Sequence, residues 1–263
     1  MRDRITFKCS VCGEENYIGT RNKKKHPERM TIKKYCPKCN QKTDHKEIKI
    51  KDDMSFYVLF MKIITRALGP VQANCYLLIQ DGHALVIDPG AEFKDLDRLL
   101  EVEHANLDAI LLTHAHFDHI GGIDSILKNH DVDVYVNPHE VQFLINPDLN
   151  GSNTFFTHVV SHAKPRTFKE GLMTIGAFDV EVFFFPGHSI GSTVFKIDDK
   201  LFTGDFIFQG SIGRMDLETG SEYAMFQSLK KFIQFDQNYP IYPGHGPSTT
   251  LDLERRWNPY LQN

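Results

Sequence analysis

Residues 114–119 read His-Ala-His-Phe-Asp-His, and this stretch decides the fold. It packs three histidines and one aspartate into a single loop. Imidazole and carboxylate together suit zinc, iron or manganese. A lone histidine is usually a surface residue or a satisfied core residue, but four such groups in six positions are hard to explain that way. His114 and His116 can face one way while Asp118 and His119 face the other, which favours two neighbouring ions. The apolar run just before, residues 107–113 (LDAILLT), reads as a buried strand that delivers the chain into the loop.

Further along, three more apolar runs end in the same kind of ligand. Residues 183–185 lead into Pro186-Gly187-His188, residues 201–203 into Gly204-Asp205, and residues 241–242 into Pro243-Gly244-His245. Each is a strand followed by a turn carrying His or Asp, so all can converge on one sheet edge. A glycine beside each ligand lets the backbone come close to the ions. Two PGH turns, a TGD and an HxHxDH together make coincidence a poor account.

The elements between these loops can be placed from periodicity. NCYLLI (74–79), Asp81-Gly82 and HALVID (83–88) form a hairpin with a tight turn. Residues 93–102, 120–128, 138–145 and 221–235 carry helical spacing. Residues 132–136, LMTIG (172–176), DVEVFFF (179–185), STVFKI (192–197), KLFTGD (200–205) and 239–242 read as strands. Strand runs with helices on both sides predict an α/β sandwich, two sheets faced by helices. Cys75, inside NCYLLI, reads as a small buried hydrophobe. Apart from the five clustered histidines, His26, His45, His83, His104, His130, His139, His158 and His162 read as ordinary surface residues.

The 263 residues are 41% apolar, enough for a real core, and carry a net charge of −4. That balance hides a split. Residues 1–50 hold 14 Lys and Arg against 6 Asp and Glu, while the remainder holds 16 against 28. A basic arm joined to an acidic globular unit is expected. No apolar h-region follows the opening MRDRITFKCS, and MSFYVLFM (54–61) is too short to span a bilayer. The expectation is therefore a cytoplasmic protein with no membrane partner.

Cys9, Cys12, Cys36 and Cys39 form two CxxC pairs. In a reducing compartment such pairs read as a metal clamp, and four sulfurs close a structural zinc site with no open position. A fifty-residue unit with few apolar residues needs such a staple. Arg21, Lys23, Lys24, Lys25, Arg29, Lys33 and Lys34 flank the site, and anchored on a metal-stapled ribbon they suit phosphate contact. Residues 51–60 (KDDMSFYVLF) make a short linker without the Gly, Ser and Pro of a flexible one.

Two resemblances follow from these motifs. ITFKCSVCGEENY (5–17), KKYCPKCN (33–40) and TDHKEIK (43–49) make residues 1–50 resemble bacterial large-subunit ribosomal protein thirty-three. That resemblance implies a small β-ribbon holding one zinc and bound to ribosomal RNA of the large subunit. The family normally ends where residue 50 stands, so the following 213 residues imply a fusion or a joined reading frame, with Met54 and Met61 as internal starts.

The His/Asp constellation in residues 61–263 resembles the metallo-β-lactamase superfamily, which implies an αββα sandwich. By that resemblance His114, His116 and His188 hold the first metal, Asp118, His119 and His245 the second, and Asp205 bridges them. Both would be Zn, Fe or Mn. SIGRMDL (211–217) and HFDHIGG (116–122) resemble the glyoxalase II-like branch, which implies hydrolysis of a hydroxyacyl thioester in the manner of a hydroxyacylglutathione hydrolase.

Two cations lower the pKa of a shared water, and Asp118 is the candidate catalytic residue that orients the nucleophile and takes its proton. A thiolate leaves without a general acid because its parent pKa is about 8.5, so a thioester or ester suits the site better than an amide. Only 18 residues follow His245, too few for the helical domain that binds glutathione in the glutathione-specific members. Arg214 and Asp216 either line the pocket or form a structural ion pair.

Two other readings compete, and two more are set aside. One is an iron-dependent persulfide dioxygenase with a single metal. Another is a structural constituent of the ribosome with the hydrolase as passenger. A secreted β-lactamase is disfavoured by the lack of a signal peptide. An RNA-processing nuclease would need an inserted domain, for which residues 188–245 leave no room.

Overall fold

The computed structural model describes residues 3–21, 28–48 and 61–262. The chain divides into two compact units on either side of residues 59 and 60. Lys23, Lys24, Lys25, His26 and the linker expected over 51–60 lie outside the described residues.

The first unit is a four-stranded antiparallel sheet in the order Glu15–Arg21, Asp3–Cys9, Gln41–Ile48, Thr31–Cys36. Each CxxC occupies the turn of one hairpin. Gly13 and Asn40 close these turns with φ of 76° and 52°, the left-handed region that Gly and Asn adopt at least cost. Burial is confined to one side, with Ile5, Phe7, Cys9, Cys36, Thr43 and His45 inside. This is too small a core to stand without a staple.

The second unit contains two six-stranded sheets. One runs in the order Arg166–Thr167, Asp133–Val136, Asn106–Leu111, His83–Ile87, Ala73–Gln80, Lys62–Leu68. The other runs Gly171–Ile175, Phe178–Phe184, Thr193–Ile197, Lys200–Gly204, Pro240–Pro243, Thr249–Thr250. Alternation along the strands builds three apolar layers, because successive side chains point to opposite faces. Leu78, Leu85, Ile87 and Leu111 meet Phe178, Val180, Val182, Phe195 and Phe202 between the sheets. Leu77, Val86, Ile110 and Val134 point outward against Leu96, Leu99, Ile120, Ile123 and Ile126. Val194, Leu201 and Ile241 point outward against Met225, Leu229, Phe232 and Leu251. Helix, sheet, sheet, helix is the αββα sandwich that the strand and helix order predicts.

The expected hairpin is present, with Asp81 and Gly82 both at positive φ as a two-residue turn of twisted strands requires. The helix expected over 120–128 is instead two short pieces, Phe117–Ile120 and Ile123–Leu127. Gly121 and Gly122 break it by packing against the backbone at 89–91. A Cβ on Gly122 would lie 2.1 Å from the Ala91 carbonyl, and the Gly122 N–H donates to the Pro89 carbonyl at 2.7 Å. The segment Pro138–Leu144 is a 3-10 helix, with Asn137 capping the His139 N–H. The edge strand Lys62–Leu68 and the helix Leu251–Trp257 carry too weak an apolar period to be read from sequence. Cys75 is fully buried, and burial pushes its thiol well up, as a structural cysteine requires.

Candidate metal centre

Four strand ends of the second unit and the loop before His188 deliver ligand-type side chains to one end of the sandwich. Ile87 leads to Asp88, Leu111 to Thr113 and the 114–119 loop, Gly204 to Asp205, and Pro243 to Gly244-His245. The two sheets are tied together there. The Asn74 N–H donates to the Gly244 carbonyl at 2.7 Å, the Asn74 side chain donates to Pro243 and Gly246, and the Thr193 N–H donates to the Thr113 carbonyl at 2.8 Å. The seven expected ligands are thereby brought together. His114, His116 and His188 form one group whose donor atoms lie within 4.8 Å of one another, and Asp118, His119 and His245 form a second. Asp205 lies between them, 3.6 Å from His188 Nε2 and 3.5 Å from both His119 Nε2 and His245 Nε2.

Hydrogen bonds around the rings fix which nitrogen faces the centre. His188 Nδ1 is 2.8 Å from the Arg214 carbonyl, which only accepts, so Nδ1 carries the proton and Nε2 presents its lone pair. Thr113 Oγ1 donates to Asp88 Oδ2 at 2.6 Å, leaving it free to accept from His114 Nδ1 at 3.1 Å. His114 Nε2 is then a lone pair as well. His119 Nδ1 stands 3.1 Å from Asp88 Oδ2, an ion-pair contact outside hydrogen-bond geometry, and against burial the carboxylates of Asp118, Asp205 and Asp88 push this imidazole well up. Burial, the largest influence on each, pushes His114 well down and His116 down to about 3, and it lowers His188 too, so these imidazoles stay neutral.

This arrangement fits metal ions on its own terms. His114 Nε2, both ring nitrogens of His119 and Asp205 Oδ1 are, among the described residues, buried without a hydrogen-bond partner. Orphaned buried polar atoms are costly, and here His114 Nε2, His119 Nε2 and Asp205 Oδ1 point at one another across a shared space. His116 Nδ1 and His188 Nε2 also face each other at 2.9 Å.

Sequence reasoning missed the groups that hold the ligands. Asp88, buried and at φ 53°, accepts from both the N–H and the hydroxyl of Thr113. Its signal was present, since VIDPG is another strand ending in a turn with an acid. Glu140 is fully buried and accepts from the Ala115 N–H at 2.6 Å, the Ser189 hydroxyl at 2.5 Å and the Gly191 N–H at 2.8 Å. Nothing local marks it. The glycines beside the ligands act differently from expectation. Gly244 does approach the ligands, since a Cβ there would lie 2.1 Å from Asp205 Oδ1. Gly187 instead packs on the helix backbone at Met225, and Gly204 packs on Thr113 Oγ1.

A cavity of about 370 Å³ opens onto the cluster, lined in part by Arg214. Arg214 is pocket wall and ion-pair partner at once, while Asp216 is its counter-ion and not one of the lining residues. The guanidinium binds Asp216 through Nε at 2.6 Å and Nη2 at 2.8 Å, and this pairing holds the Asp216 carboxyl at about 2.

Residues 68–245 match the family model described as the metallo-beta-lactamase superfamily. The chain belongs to that superfamily. Residues 3–49 match the model of ribosomal protein L33. A probable metallo-hydrolase of Bacillus subtilis, YqgX, is 38% identical over 76% of this chain and 98% of its own length. The hydroxyacylglutathione hydrolase GloC of Haemophilus influenzae is 32% identical over 73% of this chain and 94% of its own. Among solved structures, the BLEG-1 B3 metallo-β-lactamase shares 37% identity at a TM-score of 0.73, covering 77% of this chain and all of that one. TTHA1623 in a di-iron-bound form shares 36% at 0.68, covering 75% of this chain and all of that one. As a metallo-β-lactamase superfamily member, the second unit is a metallo-hydrolase.

In the ribbon, the four cysteine sulfurs also lie within 4.8 Å of one another, with Cys9–Cys39 at 3.9 Å and Cys12–Cys36 at 3.5 Å. Sulfurs at about 2.3 Å from a tetrahedral zinc are separated by about 3.8 Å. The surface reading of His45 is corrected here. It is fully buried, with Nδ1 on the Thr43 carbonyl at 3.1 Å and Nε2 accepting from Asn16, which also reaches Cys36 Sγ at 3.1 Å. Its place opposite the sulfurs on a one-sided sheet takes it from the surface. Of the other described histidines outside the cluster, His104, His139, His158 and His162 are exposed, while His83 and His130 are partly covered and pair with Asp108 and Asp97.

Proposed function

We propose that the second unit is a binuclear metal-dependent hydrolase of hydroxyacyl thioesters, and that the first is a zinc-stapled ribbon that contacts ribosomal RNA of the large subunit. The observation that carries the hydrolase reading is the pair of donor triads with Asp205 between them, in which His114 Nε2, His119 Nε2 and Asp205 Oδ1 are buried without a partner. His114, His116 and His188 would hold one ion, Asp118, His119 and His245 the other, with Asp205 shared. When bound, the ions supply Lewis-acid charge that makes water nucleophilic near neutral pH.

The protein supplies the rest. Asp118 Oδ2, 3.1 Å from His245 Nε2, faces the cavity and takes the nucleophile's proton. Thr113, fixed by Asp88, holds His114 in the ligating tautomer, and the Arg214 carbonyl does the same for His188. Among the described residues that line the cavity, the protonatable side chains are the proposed ligands and the Asp216-paired Arg214, which suits a thiolate that leaves unaided. The likeness to GloC supports the thioester class. The second triad favours two ions over the single iron of a persulfide dioxygenase.

The ribbon reading rests on the four sulfurs and the match to L33. The whole protein should carry two ions in its second unit and one zinc in its first. Loaded with zinc, iron or manganese it should hydrolyse S-lactoyl thioesters. A chain that holds one iron and consumes oxygen on a persulfide would displace the hydrolase reading. Sedimentation with large ribosomal subunits, lost on mutation of Lys33 and Lys34, tests the ribbon.

A further inference from the structure

The wall of the cavity is apolar where it leaves the ligand cluster. Val71, Phe117, Phe155, Phe208 and Leu217 line it. Val71 and Phe155 keep 43% and 42% of their surface exposed, so the mouth presents apolar surface to an incoming group. The rings of Phe117 and Phe155 stand 5.2 Å apart, and Phe208 meets His245 edge-on at 6.1 Å. Among the described residues that line the cavity, Arg214 is the one Lys or Arg. Its guanidinium is held at both Nε and Nη2 by Asp216, and it lies 5.7 Å from the centre of the Phe155 ring. Asp216 takes two of its five N–H donors, and the Asp216 charge offsets the attraction of Arg214 for a substrate carboxylate.

Building on the thioesterase reading, we propose that this mouth selects thioesters with uncharged aryl or alkyl groups over those of a carboxylate-bearing peptide thiol such as glutathione. In the reaction a C–O bond forms from water and the C–S bond breaks. The electron pair leaves with sulfur, one proton passes to Asp118 and then to solvent, and the products are a carboxylate and a thiol. Phe155 and Arg214 set the preference. An apolar contact of this size gives about 10- to 200-fold discrimination in an enzyme pocket.

The test uses the whole metal-loaded protein and two lactoyl thioesters that differ only in the thiol, benzyl mercaptan and glutathione. The benzyl ester should show a kcat/KM at least about 10-fold higher. Phe155→Ala should raise KM for the benzyl ester with little effect on the glutathione ester. Asp216→Asn should free Arg214 and lower KM for the glutathione ester alone. A glutathione ester turned over as well as the benzyl ester, or a Phe155→Ala variant that affects both equally, overturns the proposal and leaves the hydrolase reading standing. Calorimetry with the non-hydrolysable lactamides of benzylamine and of a glutathione-like peptide separates the two ideas. If neither thioester is cleaved, tighter binding of the benzyl amide keeps the selectivity and removes the thioesterase. Equal binding removes both.

Discussion

Replacing Glu140 by glutamine should strip one metal ion from the protein and leave the other. The carboxylate receives three donors from two loops. Ala115 sits between His114 and His116, and Ser189 and Gly191 follow His188, so the bonds brace the whole of the first triad. None of them reaches residues 118–119 or 245. Burial pushes the Glu140 carboxyl above its usual range, with the Ser189 hydroxyl and the Ala115 and Gly191 amides opposing. A carboxylate can accept all three bonds. A glutamine cannot, because its NH₂ must face either the Ala115 N–H or the Ser189 and Gly191 pair. The loss is one charge-assisted bond, about 1.5–3 kcal/mol, plus a stranded buried donor, about 1–3 kcal/mol. Allowing for non-additivity, about 2–4 kcal/mol is expected, or roughly 4–16 °C in Tm for a unit of this size.

Metal per chain after dialysis against a weak chelator, with denaturant unfolding alongside, is the assay. The expected result is a fall from two ions to one in the second unit. Ser189→Ala, which removes one of the three bonds, should weaken the same ion by a smaller factor and keeps the test open if the glutamine variant fails to fold. Retention of both ions at unchanged affinity, or loss of both together from a folded variant, would refute the assignment of Glu140 to the first triad.

A methyl group on Gly90 would lie 1.7 Å from the Asp118 carbonyl, and neither backbone can yield. Gly90→Ala should therefore cost about 3 kcal/mol and displace Asp118, with loss of the second ion, read by unfolding and metal analysis; a Tm within about 2 °C of the parent contradicts this. Asp95 is paired with Arg66 at 2.8 Å, and that bond holds its carboxyl below the usual range. A depressed carboxylate stabilises the fold above its unfolded pKa of about 3.9, and the contribution is lost as pH falls through the lower folded value. Because both partners are about one-third exposed, Asp95→Asn should cost only about 0.5 kcal/mol at pH 7 and nothing near pH 2, as a pair of denaturation curves will show. In the ribbon, a strong chelator should make Cys9, Cys12, Cys36 and Cys39 reactive to alkylation while buried Cys75 stays protected, as peptide mapping of the labelled chain will show; equal labelling with and without chelator rules out the zinc clamp.

Sequence alone placed the ligand-type residues that the structure brings together. HAHFDH, the two PGH turns and TGD are local signals, because a strand that ends in a short turn carries its last side chain to the sheet edge. The hairpin around Asp81-Gly82 was legible for the same reason, as was the order of the layers, since near-continuous apolar runs mark strands whose two faces are both buried. The paired CxxC turns announced the staple of the first unit. What only the tertiary structure decided is how those ligands are aimed. The proton on His188 depends on the Arg214 carbonyl 26 residues away, and that on His114 depends on its chain neighbour Thr113, which Asp88 fixes from 25 residues away. Glu140 joins two loops 50 and 25 residues away from it in the chain, and no pattern around it shows that. Likewise Gly121 and Gly122 read as part of a helix until the backbone at 89–91 is placed against them. Ligand identity is a property of a segment, but ligand orientation is a property of contacts between segments, and hydrogen bonds of that kind exist only after the two sheets have packed.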